Sequence, residues 1–430
     1  MRRLLPLLIV LLAAGIGAAR GVGMKQVPGD FLRYHRAGRM VVTGQAGLLY
    51  DPQYLETQAV YAAERLPGGD SLIEREFKYA PGLAILMAPL GALPPHAANV
   101  IWCAWNTALM AVMFLVLWRW CAGGLSAWWM LVPLVVLLRP VLDNISLGQL
   151  NPSAIVPATV GVWWLARRRT VASGAAVGLG VATKFMPAVL ALWFVSKRCW
   201  KALAVSAATL VVLWVMLPAL VLGPSRALES NQAWLDARAH HFTSADAEQL
   251  PGYSMKSFVY RVFGTTPYPS RRHETVTVGT GALSPQASSV LTLVLDGLLL
   301  AAVLWIGRGP LREAGDLRGP PEAALLLAAI PLVSPEARFP HFLFLALPLT
   351  ALTYALVRDR ASSPARRAAL LLTGLGAVLI NGTSERFLGE RLGLLAEVYC
   401  VPGWGALLLL AALALIVREG RATDTASGRA

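Results

Sequence analysis

The sequence predicts an all-α protein that crosses a membrane many times. Hydrophobic residues make up 56% of the 430 residues and charged residues only 14%, with a mean hydropathy of +0.57. Soluble proteins carry about 25% charged residues. Apolar runs of about 20 residues, the length that crosses a bilayer as a helix, recur from end to end. We therefore predict one integral membrane domain over residues 1–430, with about twelve transmembrane helices and two long outer loops.

The apolar runs leave three points open. The first run, LLPLLIVLLAAGIGAARGVGM, follows the basic start MRR, so it is either the first transmembrane helix or a cleaved secretory signal. Residues 79–95 either cross the membrane or dip in and return, because prolines shorten the helix. Residues 170–196 form either one long crossing or a hairpin of two half-helices. Clear runs elsewhere include ANVIWCAWNTALMAVMFLVLW, ALAVSAATLVVLWVMLPALVL, SSVLTLVLDGLLLAAVLWIG and GWGALLLLAALALIV.

The formal net charge of +14 is distributed over many loops. Basic clusters alternate with neutral-to-acidic loops, which is the positive-inside pattern of a membrane protein. This pattern places both termini in the cytoplasm and favours the hairpin for residues 170–196, because both ends of that segment are basic. No compact basic patch interleaved with aromatic residues remains, so nucleic acid is not an expected partner. The clusters assigned to the cytoplasm are MRR, Arg167–Arg169, KRCWK, GRGPLR, RDR…ARR and the tail from Arg418.

Two polar segments, residues 25–78 and residues 223–286, are predicted as the long outer loops. Loops of this length in a compact protein are usually functional. The first contains GLLYDPQYLETQAVYAAERL, whose apolar residues suit a short helix on the membrane surface. Ionisable and amide groups at membrane depth are functional candidates, because burying them is costly. Such groups occur at the outer ends of the helices, in GDFLRYH, EREFKYAPG, DNISLGQLNP, NQAWLDARAHHF, GYSMKSFVYR and SPEARFPHF.

Asp30 is the strongest candidate for catalysis. If these clusters converge on one outward cavity, they supply a carboxylate, amides and cations, which are the groups that a sugar attached to a phosphate requires. A carboxylate within hydrogen-bond reach activates a sugar hydroxyl by taking its proton. The alternative is that Asp30 only caps a surface helix beginning at Phe31, because Asp is a favoured N-cap residue.

Several basic side chains are candidates for stabilising a phosphate leaving group, which needs cations and no general acid. Lys184 is either a cytoplasmic lysine whose stem lies in the membrane or a buried cation beside a lipid phosphate. The loop SPEARFPHF, which holds Glu336, is either part of a site or an ordinary connection between helices. The phosphate candidates are Arg33, Lys78, Arg261, Arg338 and His341.

No metal site is predicted. His240 and His241 are expected to be solvated loop residues, and the four cysteines show no CxxC spacing and are expected to pack without disulfides. Walker-A, GxSxG, SxxK and HExxH motifs are absent, and no loop or tail has the size of a soluble nucleotide-sugar domain. A sugar donor would therefore be carried by a lipid and would enter from the membrane.

Short motifs follow one another in a defined order over most of the chain, to about residue 350. A D-x-x-x-Y pattern covers Asp30 and Tyr34, and GLLYDP, YAPG (from Tyr79) and APLGALPP follow it. A GQ-N pattern, a K-x-x-P pattern and an SP…H pattern then cover Gly148, Gln149, Asn151, Lys184, Pro187, Ser334, Pro335 and His341, with GYSMKSFVYR as a looser match between the last two. In this order the motifs resemble the polyprenyl-phosphate-sugar-dependent glycosyltransferases of the type C fold. The branch that they resemble most is that of the phosphatidylinositol mannoside mannosyltransferases.

The resemblance implies that Asp30 is the general base and that His341 helps to hold the donor phosphate. Two departures are visible, since YPP of the family is YAP here and EARFP replaces the aromatic residue that usually follows SP. With the candidates above, the expected donor phosphate or sugar contacts are His341, Arg338, Lys78, Arg261, Tyr34 and Tyr79. Further contacts to acceptor or donor are expected from His35, Gln149, Asn151, Lys184 and Glu336. The resemblance also implies the inner membrane of a bacterium, a site facing the periplasm or exterior, and no cofactor or strict metal requirement.

The leading hypothesis is an inverting glycosyltransferase that moves a hexose, mannose by resemblance, from a polyprenyl-phosphate sugar to an envelope lipid or glycan. A transporter or flippase of a lipid-linked sugar would use the same cavity, but no inverted repeat or matched pair of interrupted helices is visible. A purely structural scaffold would leave the polar groups at membrane depth unexplained.

Overall fold

The computed structural model of the chain describes residues 5–51, 77–243, 252–264, 268–269, 275–276, 278–335, 337–359, 363–383 and 385–426. Within these residues the chain forms nineteen α-helices, and the strands are limited to a two-residue antiparallel pair, Tyr268–Pro269 with Thr275–Val276. The predicted all-α class is confirmed. A helix satisfies its own backbone hydrogen bonds, as a chain in lipid requires.

The helices up to the middle of the second outer segment are α1 (Leu5–Val22), α2 (Gly29–Val42), α3 (Pro81–Gly91), α4 (Pro95–Cys121), α5 (Leu131–Val136), α6 (Leu138–Ser146), α7 (Asn151–Ala166), α8 (Thr170–Thr183), α9 (Leu190–Ser196), α10 (Trp200–Val211), α11 (Leu217–Leu222) and α12 (Pro224–Thr243). The remaining helices are α13 (Met255–Val262), α14 (Pro285–Ile306), α15 (Gly319–Val333), α16 (Ala346–Arg358), α17 (Pro364–Asn381), α18 (Glu385–Val398) and α19 (Val401–Ala426). Short 3₁₀ turns cover Ala46–Leu48, Ala127–Met130, Met186–Val189 and Phe339–Leu345, and a π-helical turn at Val212–Met216 joins α10 to α11.

Local sequence explains where several helices begin. Proline occupies the first position of α3, α4, α12, α14 and α17, where its missing N–H costs no hydrogen bond and its fixed φ suits a helix. Ser284 and Ser363 precede two of these prolines. Their side chains accept hydrogen bonds from the backbone N–H groups of Ala287 and Arg366, respectively, as N-cap residues do.

Six helical segments in the described residues are long and apolar enough to cross a membrane, and α5 with α6, bent by 62°, makes a possible seventh. Four apolar helices are shorter: Pro81–Gly91, Thr170–Thr183, Met186–Ser196 and Gly319–Val333. The protein is therefore polytopic, as predicted, whereas the count of about twelve crossings stays a prediction. The six long segments are Leu5–Val22, Pro95–Cys121, Trp200–Leu222, Pro285–Ile306, Phe339–Arg358 and Val401–Ala422.

The centre of the bundle is formed by α15, the Phe339–Leu345 turn and α16. Nearly all of α15 is buried, as is 94% of the most apolar stretch of Phe339–Arg358. A helix that is apolar on all sides is expected in such a central position. Residues of α4, α7 and α19 complete the same core. The central helices therefore contact protein on every side, while α1, α10 and α14 lie at the periphery with about a tenth of their apolar stretches buried.

Residues 79–95 fold around α3, which has only eleven residues. Eleven residues rise about 16 Å, whereas the hydrocarbon core of a bilayer is about 30 Å thick. This helix is therefore too short to cross the membrane alone. It packs against α2 at Gly38. A Cβ atom at Gly38 would lie 2.3 Å from the carbonyl oxygen of Met87, so α2 and α3 touch through their backbones.

Residues 170–196 form a hairpin, the alternative that charge favours. α8 ends before Lys184, which is extended (φ −152°, ψ 126°), and α9 then follows a short turn. Arg168, just before α8, pairs with Glu313 at 3.3 Å. Lys197, just after α9, donates to two backbone carbonyls of the same loop, at 2.7 and 3.2 Å. Both ends of the segment therefore lie at one face of the bundle, and Lys184 lies at the opposite end of the hairpin.

The described residues of the basic clusters assigned to the cytoplasm from sequence meet at that face, whereas MRR lies outside the described residues. Glu322, at the start of α15, is 3% exposed and accepts from Lys197 Nζ at 2.6 Å. Arg312 Nε and Arg421 Nη2 each reach the same carboxylate at 3.1 Å. A buried carboxylate surrounded by cations fixes the relative position of the elements that carry them, because breaking such a contact leaves a buried charge. We call the surface formed by residues 166–169, 197–201, 307–322, 358–359, 363–367 and 418–421 the basic face.

The two outer segments are mainly helical where they are described. Residues 25–51 contain α2 and a 3₁₀ turn, and the second segment contains α12, α13 and the two-residue strand pair. Most of the predicted surface helix around GLLYDPQYLETQAVYAAERL lies at residues 52–76, outside the described residues.

Gly17 is expected to be required for the packing of α1 on α4. A Cβ atom at this position would lie 2.4 Å from the carbonyl oxygen of Cys103, whereas one at Gly15 has no neighbour within 4 Å. Gly17→Val should therefore cost about 1–3 kcal/mol of stability and lower the melting temperature of the detergent-purified protein, while Gly15→Val leaves it near wild type. Equal melting temperatures for the two variants would contradict this packing.

Candidate functional site

A cavity of about 410 Å³ opens where seven elements begin or end. These elements are the start of α2, the segment before α3, the segment before α7, the tip of the hairpin, the start of α13, the end of α15 and the start of the Phe339–Leu345 turn. The volume lies within the range of small-molecule sites, about 300–1,000 Å³. The side chains in its lining are Asp30, Arg33, Tyr34, Lys78, Tyr79, Gln149, Lys184, Phe185, Met186, Ala188, Val189, Lys256, Ile330, Val333, Ser334, Pro335, Arg338, Pro340 and His341.

Asp30 lies in the first turn of α2 with its carboxylate at the cavity. One oxygen accepts a hydrogen bond from Gln149 Nε2, and the other pairs with Arg33 Nη1 at 3.3 Å. The helix begins at Gly29 with Pro28 at the N-cap, so the alternative in which Asp30 caps a helix from Phe31 is wrong. A carboxylate has about four acceptor positions, so two contacts leave room for a further donor.

Gly148 places Gln149 beside Asp30. Its φ of +65° is a conformation that residues with a side chain rarely adopt, and a Cβ atom here would lie 2.7 Å from the Cβ of Phe31. Two side chains of α4 hold this turn, since Trp102 Nε1 donates to the Gly148 carbonyl and Asn106 Nδ2 to the Gln149 carbonyl, each at 3.0 Å. Glycine therefore allows the backbone to approach α2 closely enough for the amide to reach the carboxylate.

Lys184, at the tip of the hairpin, contacts two other elements. Its Nζ donates to Asn151 Oδ1 at 2.7 Å and lies 2.7 Å from His341 Nε2. Asn151 in turn donates to Asn144 Oδ1 at 3.0 Å. Asn144 is fully buried and donates to the carbonyl of Pro340 at 2.9 Å. The chain of amides thus fixes α6, α7 and the Phe339–Leu345 turn around the lysine.

His341 presents a donor toward Lys184. The backbone N–H of Arg338 donates to His341 Nδ1 at 2.7 Å, so a neutral ring carries its hydrogen on Nε2. That hydrogen faces an ammonium group, which also only donates when charged. An oxygen atom of an anion placed beside both groups would accept from each. The arrangement therefore suits an oxyanion better than it suits the two side chains alone.

Two tyrosines form the wall beside Asp30. The hydroxyl groups of Tyr34 and Tyr79 lie 3.3 Å apart, and Tyr50 donates to the Tyr79 carbonyl at 2.6 Å. Burial, followed by the proximity of Tyr79 and Asp30, raises the pKa of Tyr34 well above its usual value. The phenol of Tyr34 is therefore neutral at physiological pH and can donate a hydrogen bond.

Apolar side chains form much of the remaining cavity lining. Phe185 follows Lys184 at the hairpin tip, and its side chain is 65% exposed. Its ring stacks on Trp214 with the centroids 6.4 Å apart, and Trp214 in turn packs against Trp234 of α12. Met186, Val189, Ile330 and Val333 also line the cavity. The cavity lining thus combines Asp30 and several cations with apolar side chains.

Most of the site residues predicted from sequence line this cavity. Asp30, Tyr34, Lys78, Tyr79, Gln149, Lys184, Arg338 and His341 lie in its wall, and Asn151 contacts it through Lys184. His35 is buried elsewhere on α2, where its Nε2 lies 2.9 Å from the carbonyl of Leu93. Glu336 lies outside the described residues. Sequence analysis missed Lys256, although it lies in the quoted motif GYSMKSFVYR.

The expectation that Arg261 contacts the donor phosphate is not supported by its position. Arg261 is 1% exposed and is not part of the cavity wall. Its Nη1 donates to the carbonyls of Gly252 and Glu397, each at 3.0 Å, and approaches Cys400 Sγ at 3.4 Å. The guanidinium connects the start of the α13 region to the turn between α18 and α19, which is a structural role.

Among the described residues, no three His, Cys, Asp or Glu side chains lie close enough together to hold a metal ion. The charged groups in the described part of the cavity wall are instead the cations and the single carboxylate given above.

Arg261 and Arg338 are expected to differ in their effect on stability. Arg261→Gln leaves buried carbonyl oxygens without their charged donor and should cost about 2–3 kcal/mol. Arg338→Gln removes a partly exposed cation from a cavity that already holds several, and should leave stability near wild type. Thermal unfolding of the two purified variants measures this difference, and a larger loss for Arg338→Gln would reverse the assignment.

Comparison with known proteins gives one family match. The model of Glycosyltransferase family 87 matches residues 77–335, a range that includes Lys78, Tyr79, Gln149 and Lys184. Asp30, Arg338 and His341 lie outside the matched range. No solved structure shows significant similarity to the chain.

Two curated relatives match part of the chain. Both are named polyprenol-phosphate-mannose-dependent alpha-(1-2)-phosphatidylinositol mannoside mannosyltransferase. The protein from Mycobacterium tuberculosis is 29% identical over 155 residues, which cover 32% of this chain and 35% of the relative. The protein from Mycolicibacterium smegmatis is 28% identical over 174 residues, which cover 37% of this chain and 39% of the relative. The chain thus matches little more than a third of the length of each relative.

Proposed function

Because the chain belongs to Glycosyltransferase family 87, we propose that it is an integral membrane glycosyltransferase that transfers mannose from a polyprenyl-phosphate donor. The observation that carries this proposal is the convergence of one carboxylate and several cations on a cavity that apolar side chains also line. The acceptor is an envelope lipid or glycan, and transfer proceeds with inversion in a single displacement.

Asp30 acts as the general base. Gln149 and Arg33 hold its carboxylate at the cavity, and its remaining acceptor positions can take the hydrogen of an acceptor hydroxyl. As that hydrogen moves to Asp30, the hydroxyl oxygen forms a bond to the anomeric carbon of the donor sugar. The bond from this carbon to the phosphate oxygen breaks, and its electron pair leaves with the polyprenyl phosphate.

Lys184 and His341 stabilise the departing phosphate. Lys184 Nζ and His341 Nε2 lie 2.7 Å apart, and an anionic oxygen placed beside both nitrogens would accept a hydrogen bond from each. Donors already aimed at a developing charge lower the barrier without reorganising during the reaction. Arg338, Lys78 and Lys256 supply further positive charge in the same cavity. These cations serve the role that a bound metal would otherwise fill, so we propose that the reaction has no strict metal requirement.

The apolar side chains of the cavity lining accommodate the first units of the polyprenyl chain. Phe185, Met186, Val189, Ile330 and Val333 lie beside the phosphate position and offer no hydrogen-bonding group from their side chains. A donor with this geometry would enter from the membrane, with its phosphate at Lys184 and its sugar toward Asp30. The names of the two mycobacterial relatives support the polyprenyl-phosphate-mannose donor and a glycolipid acceptor.

The cavity is proposed to face the exterior or periplasm of a bacterial inner membrane. It lies at the tip of the hairpin, whereas both ends of the hairpin lie at the basic face. Basic loops remain in the cytoplasm in most membrane proteins, so the cavity is on the other side.

The direct test is transfer of labelled mannose from polyprenyl-phosphate-mannose to an envelope-lipid extract by the purified protein. Transfer supports the enzyme. Donor binding without transfer, together with movement of the donor across the bilayer of proteoliposomes, would replace the proposal with a lipid-linked-sugar flippase.

Asp30→Asn is expected to lower kcat by about 10²–10⁴-fold, the usual contribution of a general base, while binding of the donor changes little. Asp236→Asn, which removes an exposed carboxylate on α12, is the matched control and should keep wild-type turnover. Single-turnover transfer and a separate donor-binding assay measure the two quantities. Turnover that survives Asp30→Asn would remove Asp30 from the reaction and leave the enzyme assignment standing.

Lys184→Met and His341→Gln are each expected to lower kcat by about 10²–10³-fold, because one donor to the leaving oxygen is lost. Lys201→Met removes an exposed lysine at the basic face and serves as the control. A sugar donor whose leaving group is better than a phosphate monoester should restore much of the lost kcat in the two site variants. No recovery with such a donor would mean that these residues only maintain the fold.

A further inference from the structure

A second groove lies at the basic face, between the ends of α14 and α19. It has a volume of about 440 Å³ and is separate from the candidate active site. Its lining combines three arginines with an apolar floor, and consists of Ala302, Trp305, Ile306, Arg308, Arg418 and Arg421.

The groove is cationic. Within the described part of the chain, exposed Arg418 has no hydrogen-bond or ion-pair partner. Arg308 lies over the ring of Trp305 at 3.9 Å and donates only to the Trp305 carbonyl, so its charge is not neutralised by a described carboxylate. Arg421 pairs with Glu322 at 3.1 Å, but Lys197 and Arg312 already share that carboxylate. The three arginines together therefore attract an anion.

The floor of the groove belongs to a membrane-facing helix. α14 is long and apolar enough to cross the membrane, and only 11% of its apolar stretch is buried in the protein. Trp305 is 66% exposed and Leu298, two turns away on the same helix, is 62% exposed. An exposed tryptophan next to arginines at a helix end is typical of the membrane–water interface. A ligand of this groove therefore contacts cations at one end and the hydrocarbon region at the other.

We infer that the groove binds the anionic head group of a membrane phospholipid. The phosphate lies among Arg308, Arg418 and Arg421, and an acyl chain runs along Ala302 and Leu298 of α14. A free phosphate would use the arginines and leave the apolar floor empty, whereas a phospholipid uses both. The inference depends on neither the proposed reaction nor the donor, because the groove lies at the face opposite the candidate active site.

The test measures binding of phosphatidylglycerol and phosphatidylcholine with identical acyl chains to the detergent-purified full chain, by native mass spectrometry. Each basic residue near a membrane surface contributes about a fivefold gain in affinity for an anionic lipid. Arg308→Gln and Arg418→Gln should therefore each weaken phosphatidylglycerol binding about fivefold, and the double variant about 25-fold. Arg169→Gln, which removes an exposed arginine elsewhere on the basic face, should change it less than twofold.

A second variant tests the space in the groove independently of its charge. Ala302→Trp fills the exposed floor without changing charge and should weaken phosphatidylglycerol binding as much as Arg418→Gln does. Thermal unfolding of each variant confirms that it is folded. Equal loss in Arg169→Gln, equal binding of phosphatidylcholine, or competition by glycerol phosphate at the concentration at which phosphatidylglycerol binds would each overturn the inference.

Discussion

Lys184 contacts Asn151 and His341 at a point where three helical segments are interrupted. α8 ends just before the lysine, α7 begins at Asn151, and the turn that holds His341 lies between α15 and α16. Interrupted helices leave backbone groups without helical partners, and at membrane depth these must be satisfied by protein or by water in a cavity. Because these interruptions lie in one place, the neighbouring helices are short, the amides are buried and a cavity forms.

The opposite end of the bundle keeps this arrangement in position. Glu322 accepts from Lys197, Arg312 and Arg421, and so joins the end of the hairpin to the start of α15 and to α19. A buried carboxylate with three cationic partners adds less to stability than its contacts suggest, because each charge loses its hydration. The main effect of Glu322 is to fix the relative positions of the elements that it joins. The hairpin is held at its base, so the depth of Lys184 is set by the length of α8.

Sequence alone predicted the membrane class and favoured the hairpin, because hydrophobic length and loop charge are local properties. It also selected Asp30, Gln149 and His341 as candidate site residues, since polar groups at membrane depth are costly to bury and since the order of the motifs resembles that of a known family. The direction in which a given side chain points was not predictable. Lys256 and Arg261 are five residues apart, about 140° around a helix, so one faces the cavity and the other the protein interior. The number of crossings was uncertain for a related reason, since short helices and half-helices share the composition of full spans.

The length of α15 has a consequence for the surrounding bilayer. This helix has fifteen residues and runs from Gly319 at the basic face to Val333 at the cavity. It is therefore about 22 Å long, some 8 Å less than the thickness of a typical hydrocarbon core. If the basic face lies at head-group level, the cavity floor lies within the hydrocarbon region of the other leaflet. Thinning a bilayer to reach such a floor costs a fraction of a kcal/mol per ångström. Membrane thickness therefore affects the depth of this cavity in the bilayer without any change in its side chains.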